Sequence, residues 1–152
     1  MATETATTST VESTLADWQR GVLAGTAGGV VFAVMLTVQM TPVIEMAIPA
    51  LYGLSGGAAG WVVHVSHAAV LGVGFAVLAQ AVDVRGAARS TAAGAGYGVV
   101  LWVALAVFVM PVWLQAVGFG GAPGVPNVSA QGLVGHVVYG VVLGAVYAVV
   151  GE

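Results

Sequence analysis

The chain reads as an all-α protein, a four-helix transmembrane bundle made of two tandem helical hairpins, and three observations predict it. The first is composition: 59% of the 152 residues are hydrophobic and 6% charged, with a mean hydropathy of +1.02. Soluble domains run about 25% charged, so this chain belongs in lipid. The second is a set of four predominantly apolar runs, each near the ~20 residues that cross a bilayer. The third is an internal repeat. The runs are continuous Val, Ala, Leu and Gly, without the alternation of barrel strands. An open sheet edge in lipid would leave backbone groups unsatisfied, so helices are the spanning element.

Residues 1–15 read as a separate acidic, Thr-rich tail containing Glu4 and Glu12. Its apolar surface is too small to offset the entropy of ordering, so disorder is expected up to about Leu15. It is not a secretory signal, because an acidic stretch here precedes a run already long enough to span. Residues 16–152 form a single four-span membrane domain.

The first helix is expected from about residue 18 to 52, kinked at Pro42, whose missing N–H frees the carbonyl near Val38. Gly21, Gly25 and Gly29 recur every four residues and so share one face, where small residues let another helix approach closely. The second helix is expected over about 59–82 and the third over about 91–118. The third carries Gly94 and Gly98 at the same spacing, with Pro111 freeing the carbonyl near Val107. The fourth is expected over about 131–150. Arg20 precedes the first helix, and Arg85 and Arg89 lie between the second and third. The positive-inside bias therefore places both termini in the cytoplasm of a plasma-membrane protein. The loop between the third and fourth helices, on the outer side, holds the glycosylation triplet Asn127-Val128-Ser129.

The repeat aligns Gly60 to Leu78 with Gly132 to Val150 at an offset of 72, without gaps, and nine of 19 positions are identical. One identical pair is His64 and His136. The preceding segments correspond loosely, Leu51 to Gly57 with Ala116 to Gly121. Both repeated helices run in the same direction, so the halves are expected to be related by a pseudo-two-fold axis along the membrane normal. Gly60, His64, Ala68 and Gly72 make one stripe, and Gly132, His136, Gly140 and Gly144 make its counterpart.

His64, His67 and His136 fall in one layer of the outer half of the membrane. Glu45, Gln39, Met40, Met46, Met110 and Gln115 approach it from the other two helices. An ionisable residue within a span is a functional hypothesis, because burying it unpaired costs several kcal/mol. Three roles fit. The histidines can hydrogen-bond helices together in a non-enzymatic structural or partner-binding protein. They can hold haem or a transition metal through His64 and His136, with His67, Glu45 and methionine sulfurs such as Met110 as further donors. Or the cluster can serve a small proton-linked carrier or a quinone-binding subunit. Catalysis is not expected, since the sequence has no GxSxG elbow, no HExxH pair and no cysteine. A net charge of −3 with three basic residues argues against nucleic acid. The expected partners are the lipid bilayer and further copies or subunits of a membrane complex.

The segments AIPALYGLSGGAAGWVVHVSHAAV, YGVVLWVALAVFVMPVWL and LVGHVVYGVVLGAVY resemble a group of small haloarchaeal membrane proteins. They are more distantly similar to the YagU-type inner-membrane family, in whose pattern His67, Pro111 and the Gly135-His136 pair have counterparts. The resemblance implies a four-span membrane protein and carries over no catalytic residue. Some haloarchaeal relatives bear a histidine kinase label, an activity needing an ATP-binding domain for which four spans leave no room.

Overall fold

The computed structural model describes residues 15–151, so the expected tail, apart from Leu15, lies outside the described residues. Four helices are long and apolar enough to cross a membrane: α1 (Asp17–Gln39), α2 (Gly57–Ala81), α3 (Ala87–Ala116) and α4 (Ala130–Val149). No strand occurs among the described residues. The architecture is the all-α bundle of a multi-pass membrane protein.

Both prolines leave their mark, in different ways. The expected single kinked helix over 18–52 is in fact two pieces. α1 stops at Gln39, and Met40 leaves helical geometry at φ −139° and ψ 45°. The chain is helical again from Thr41 and Pro42 and continues as a π-helical turn, Val43–Ala47, and one short α turn, Ile48–Ala50. In α3 the helix continues through Pro111, but the eight residues Trp102–Val109, one residue short of it, are wound as π-helix. Proline removes the donor that would close the preceding turn, and widening that turn redistributes the lost bond. The freed Val107 carbonyl accepts from the backbone N–H of Asn127 at 3.0 Å. The Asn127 side chain reaches the neighbouring Ala106 carbonyl, a long contact of 3.5 Å. The loop ahead of α4 is thus fastened to the π segment of α3. Two residues later the Ser129 hydroxyl accepts from Gly132 N at 3.1 Å and caps α4.

Each hairpin closes on glycine. A Cβ built at Gly25 would fall on the Ala68 carbonyl and 2.8 Å from Gly72 Cα; one built at Gly94 would fall on the Gly140 carbonyl and 3.0 Å from Gly144 Cα. Gly72 lies against the Gly21 carbonyl as Gly144 lies against the Ser90 carbonyl. The two hairpins therefore make the same contacts at matched positions. α2 and α4 correspond at the offset of 72, whereas α1 and α3 correspond at 69, which pairs Gly25 with Gly94 and Pro42 with Pro111. The loose match of Leu51 to Gly57 with Ala116 to Gly121 is thus superseded, because the connecting segments differ in length. Gly60 abuts the Ile44 carbonyl. Gly132 departs from its expected helix-packing role: a Cβ there would meet Ser129 and the Trp102 indole rather than another backbone.

The halves are not equivalent in how they meet. α1 packs against both α2 and α4, while α2 and α3 scarcely touch. At the end holding the chain termini, Arg20 ties α1 to α4. Its guanidinium binds Asp17 at 2.9 Å, donates to the Tyr147 carbonyl at 2.9 Å and lies 4.2 Å from the centre of the Tyr147 ring. A cation placed on the last turn of α4 also suits that helix's dipole. Asp17 is half-exposed, so the ion pair itself contributes little, and most of the effect comes from the charged hydrogen bond and the ring contact. Arg20→Ala is expected to lower unfolding stability in detergent by about 1–2 kcal/mol, read as a shift in the thermal midpoint; an unchanged midpoint contradicts the tether.

Candidate functional site

Where α2 and α3 separate, in the half of the bundle away from the start of α1 and the end of α4, the four helices line a cavity of about 320 Å³ that is open on one side. His64, His67, His136 and Met110 line it together with Met40. Glu45 does not. It is exposed, and its side chain lies beside Gly57, where a Cβ would come 3.6 Å from the carboxylate Oε1, outside the cavity lining. Gln39, Met46 and Gln115 are likewise exposed outside it; Gln115 instead donates to the Pro123 carbonyl at 2.9 Å.

The floor is set by two tyrosines that cross between helices. Tyr139 on α4 donates to the Ala68 carbonyl at 2.8 Å, and Tyr97 on α3 donates to the Leu71 carbonyl at 2.9 Å. Both acceptors are α2 carbonyls, and both hydroxyls are satisfied without a charged partner, as a tyrosine in lipid requires. The opposite end is closed by Trp113, whose indole N–H donates to the Leu51 carbonyl at 2.9 Å. Between these levels the walls are Leu, Val, Ile, Met, Ala and aromatic side chains, and among the described residues the polar side chains are the three histidines and the hydroxyls of Tyr52 and Tyr139. Among the described residues, no charged side chain lines the cavity.

The histidines have three different settings. His67 Nε2 shares a 2.6 Å hydrogen bond with the Tyr52 hydroxyl. His136 Nδ1 lies 2.8 Å from the Gly132 carbonyl, one turn earlier on its own helix. His64 Nε2 is buried and has no hydrogen-bond partner. His64 and His136 do not open onto a bare axis, because one phenyl ring, Phe32 of α1, bridges them edge-on with centroids 5.1 and 4.9 Å away. Phe32 fits only because position 135 is glycine: a Cβ there would fall inside the ring. Among the described residues there is no group of three or more His, Asp or Glu side chains that could hold a metal ion.

Phe32 and Tyr52 are site residues that the sequence pattern does not single out, whereas Tyr139, which the sequence offers as a hydrogen-bond partner for the histidines, donates instead to the Ala68 carbonyl. Phe32 stands three residues after Gly29, next to the glycine face, and that spacing was the available signal. Tyr52 reads as an interfacial aromatic, and Tyr139 stands at the repeat position that holds His67 in the other half. No family model, curated protein or solved structure matches the chain.

Proposed function

We propose that this chain is a non-enzymatic membrane protein that binds one uncharged, lipid-soluble small molecule in the histidine-lined cavity. The carrying observation is the cavity itself: about 320 Å³, apolar walls, and a few polar atoms gathered from α2, α4 and the segment that joins α1 to α2. Clefts of roughly 300–1,000 Å³ with this division between apolar wall and sparse polar groups are the usual form of small-molecule sites. The sparse contact between α2 and α3 supplies a way in from the lipid. Of the expected roles, a quinone-binding or similar subunit stands nearest to this reading. Haem or a metal shared by His64 and His136 would require Phe32 to leave, and the histidines as hydrogen-bonding glue would leave His64 Nε2 unexplained.

The test is binding of tritiated naphthalene to the full chain in lipid nanodiscs, taken as the saturable component above empty nanodiscs. Saturation near one molecule per chain is expected. Ala106→Phe, which puts a ring into the cavity from α3, should weaken it about tenfold while the thermal midpoint stays near that of the wild type. No saturable component in the wild type overturns the proposal.

A further inference from the structure

The cavity also specifies a head group, an inference that rests on the binding reading above. A backbone carbonyl has no proton to give, so the 2.8 Å contact between His136 Nδ1 and the Gly132 carbonyl places the ring hydrogen on Nδ1. In the neutral imidazole the other nitrogen, Nε2, is then an acceptor, and no donor among the described residues is bonded to it. His136 therefore presents a lone pair to the cavity, whose lining also holds the unpartnered Nε2 of His64. The protein hydroxyls are already committed: Tyr139 donates to Ala68, and Tyr52 is engaged with His67. A molecule that only accepts, such as a quinone or an ether, would leave Nε2 unpaired. One carrying a hydroxyl would satisfy it.

The walls indicate the body that bears that hydroxyl. Phe32, Tyr52, Trp113 and Tyr139 contribute ring surfaces, and Met40 and Met110 contribute thioethers, which pack favourably on aromatic rings. We infer that the bound molecule is a neutral aromatic alcohol of the phenol or quinol class, its O–H donating to His136 Nε2 and its ring lying among those side chains. Such a molecule resides in the bilayer with its hydroxyl at shallow depth. It enters sideways between α2 and α3, above the Tyr97 to Leu71 link that closes the lower part of that seam.

The test compares three ring compounds of similar size on the full chain in nanodiscs, each corrected for its uptake by empty nanodiscs: 1-naphthol, 1-methoxynaphthalene and 1,4-naphthoquinone. In the wild type, 1-naphthol is expected to bind about tenfold more tightly than either of the others, the scale of one well-formed hydrogen bond in a dry site. His136→Phe should bring the naphthol preference to about one while 1-methoxynaphthalene binding is retained. Equal binding of all three compounds to the wild type overturns the hydroxyl assignment and leaves the cavity reading standing. Failure of all three to show a saturable component removes the cavity reading and this inference with it. The wild-type comparison is decisive whether or not the His136 variant folds.

Discussion

Gly94→Val is expected to abolish the folded bundle, whereas Gly96→Val, two residues further along the same helix, leaves it intact. A Cβ at Gly94 would fall on the Gly140 carbonyl and 3.0 Å from both Gly144 Cα and Gly144 N. All three are backbone atoms, which cannot rotate away as a side chain would, so the helices must separate along the whole crossing. Overfilling a packed interior costs about 1–3 kcal/mol where side chains can yield. With two backbones face to face the cost is expected at or above the top of that range. In lipid this matters more than in water, because helix association has no hydrophobic term to fall back on and rests on close van der Waals contact. Gly96 has nothing within 4 Å and is exposed. Valine there meets only lipid. The measurement is the yield of monodisperse protein and its thermal midpoint in detergent for the two variants side by side; similar midpoints would contradict the crossing geometry.

The matched contacts of the two hairpins also explain why the cavity lies on one side only. On the correspondence set by the glycine crossings, Gly28 is the counterpart of Tyr97, Phe32 of Leu101, His67 of Tyr139 and Val63 of Gly135. At the α1–α4 seam, Gly28 lets α1 reach the Tyr139 backbone and Gly135 receives the Phe32 ring, so that seam is shut. At the α2–α3 seam the equivalent positions hold Tyr97 and Val63. The tyrosine stands where a glycine would be, spans to the Leu71 carbonyl and holds the helices apart. Two copies of one hairpin thus give one closed seam and one open one, by exchanging small residues for large at two pairs of positions, Gly28 with Tyr97 and Gly135 with Val63.

Much of this fold was legible in the sequence because lipid simplifies the code. Length and apolarity alone mark the spans, and Gly21, Gly25, Gly72, Gly140 and Gly144 announce the crossings by their spacing of four. The repeat was visible in α2 and α4, where His64 and His136 stand in similar surroundings. It was hidden in α1 and α3, because those helices keep little more than the small residues of the crossing and one proline, at a different offset. The π-helical stretch Trp102–Val109 was also illegible. Pro111 signals a disturbed turn, but whether the chain breaks, as at Met40, or widens depends on what reaches the freed carbonyl. Here that is Asn127, from a loop 16 residues downstream of the proline. For the site, the layer of histidines was readable from depth along the helix, yet Glu45 misled, since a π turn with Ile44 buried turns the next residue outward. Phe32 was out of reach because its position depends on the absence of a side chain at residue 135, a relation between two helices that no local pattern encodes.

That relation yields the last prediction, a size exchange across the closed seam. Phe32 is 6% exposed and its ring occupies the space that a Cβ at position 135 would enter. Phe32→Ala should lower stability by about 2–3 kcal/mol, below the 3–5 typical of a water-soluble core, because in the unfolded membrane state the ring is already in an apolar solvent and only packing is lost. Gly135→Leu should cost a similar amount by itself, since the new side chain collides with the ring and drives it toward His64 and His136. In the double variant the leucine fills the hole left by the phenylalanine. Stability should then return to within about 1 kcal/mol of the wild type, a coupling well outside the few tenths seen for independent sites. Thermal midpoints of the four proteins in one detergent complete the cycle. Additive losses, with the double variant the least stable of the four, would mean that Phe32 and Gly135 do not share this space and that the two histidines are not separated in the way described.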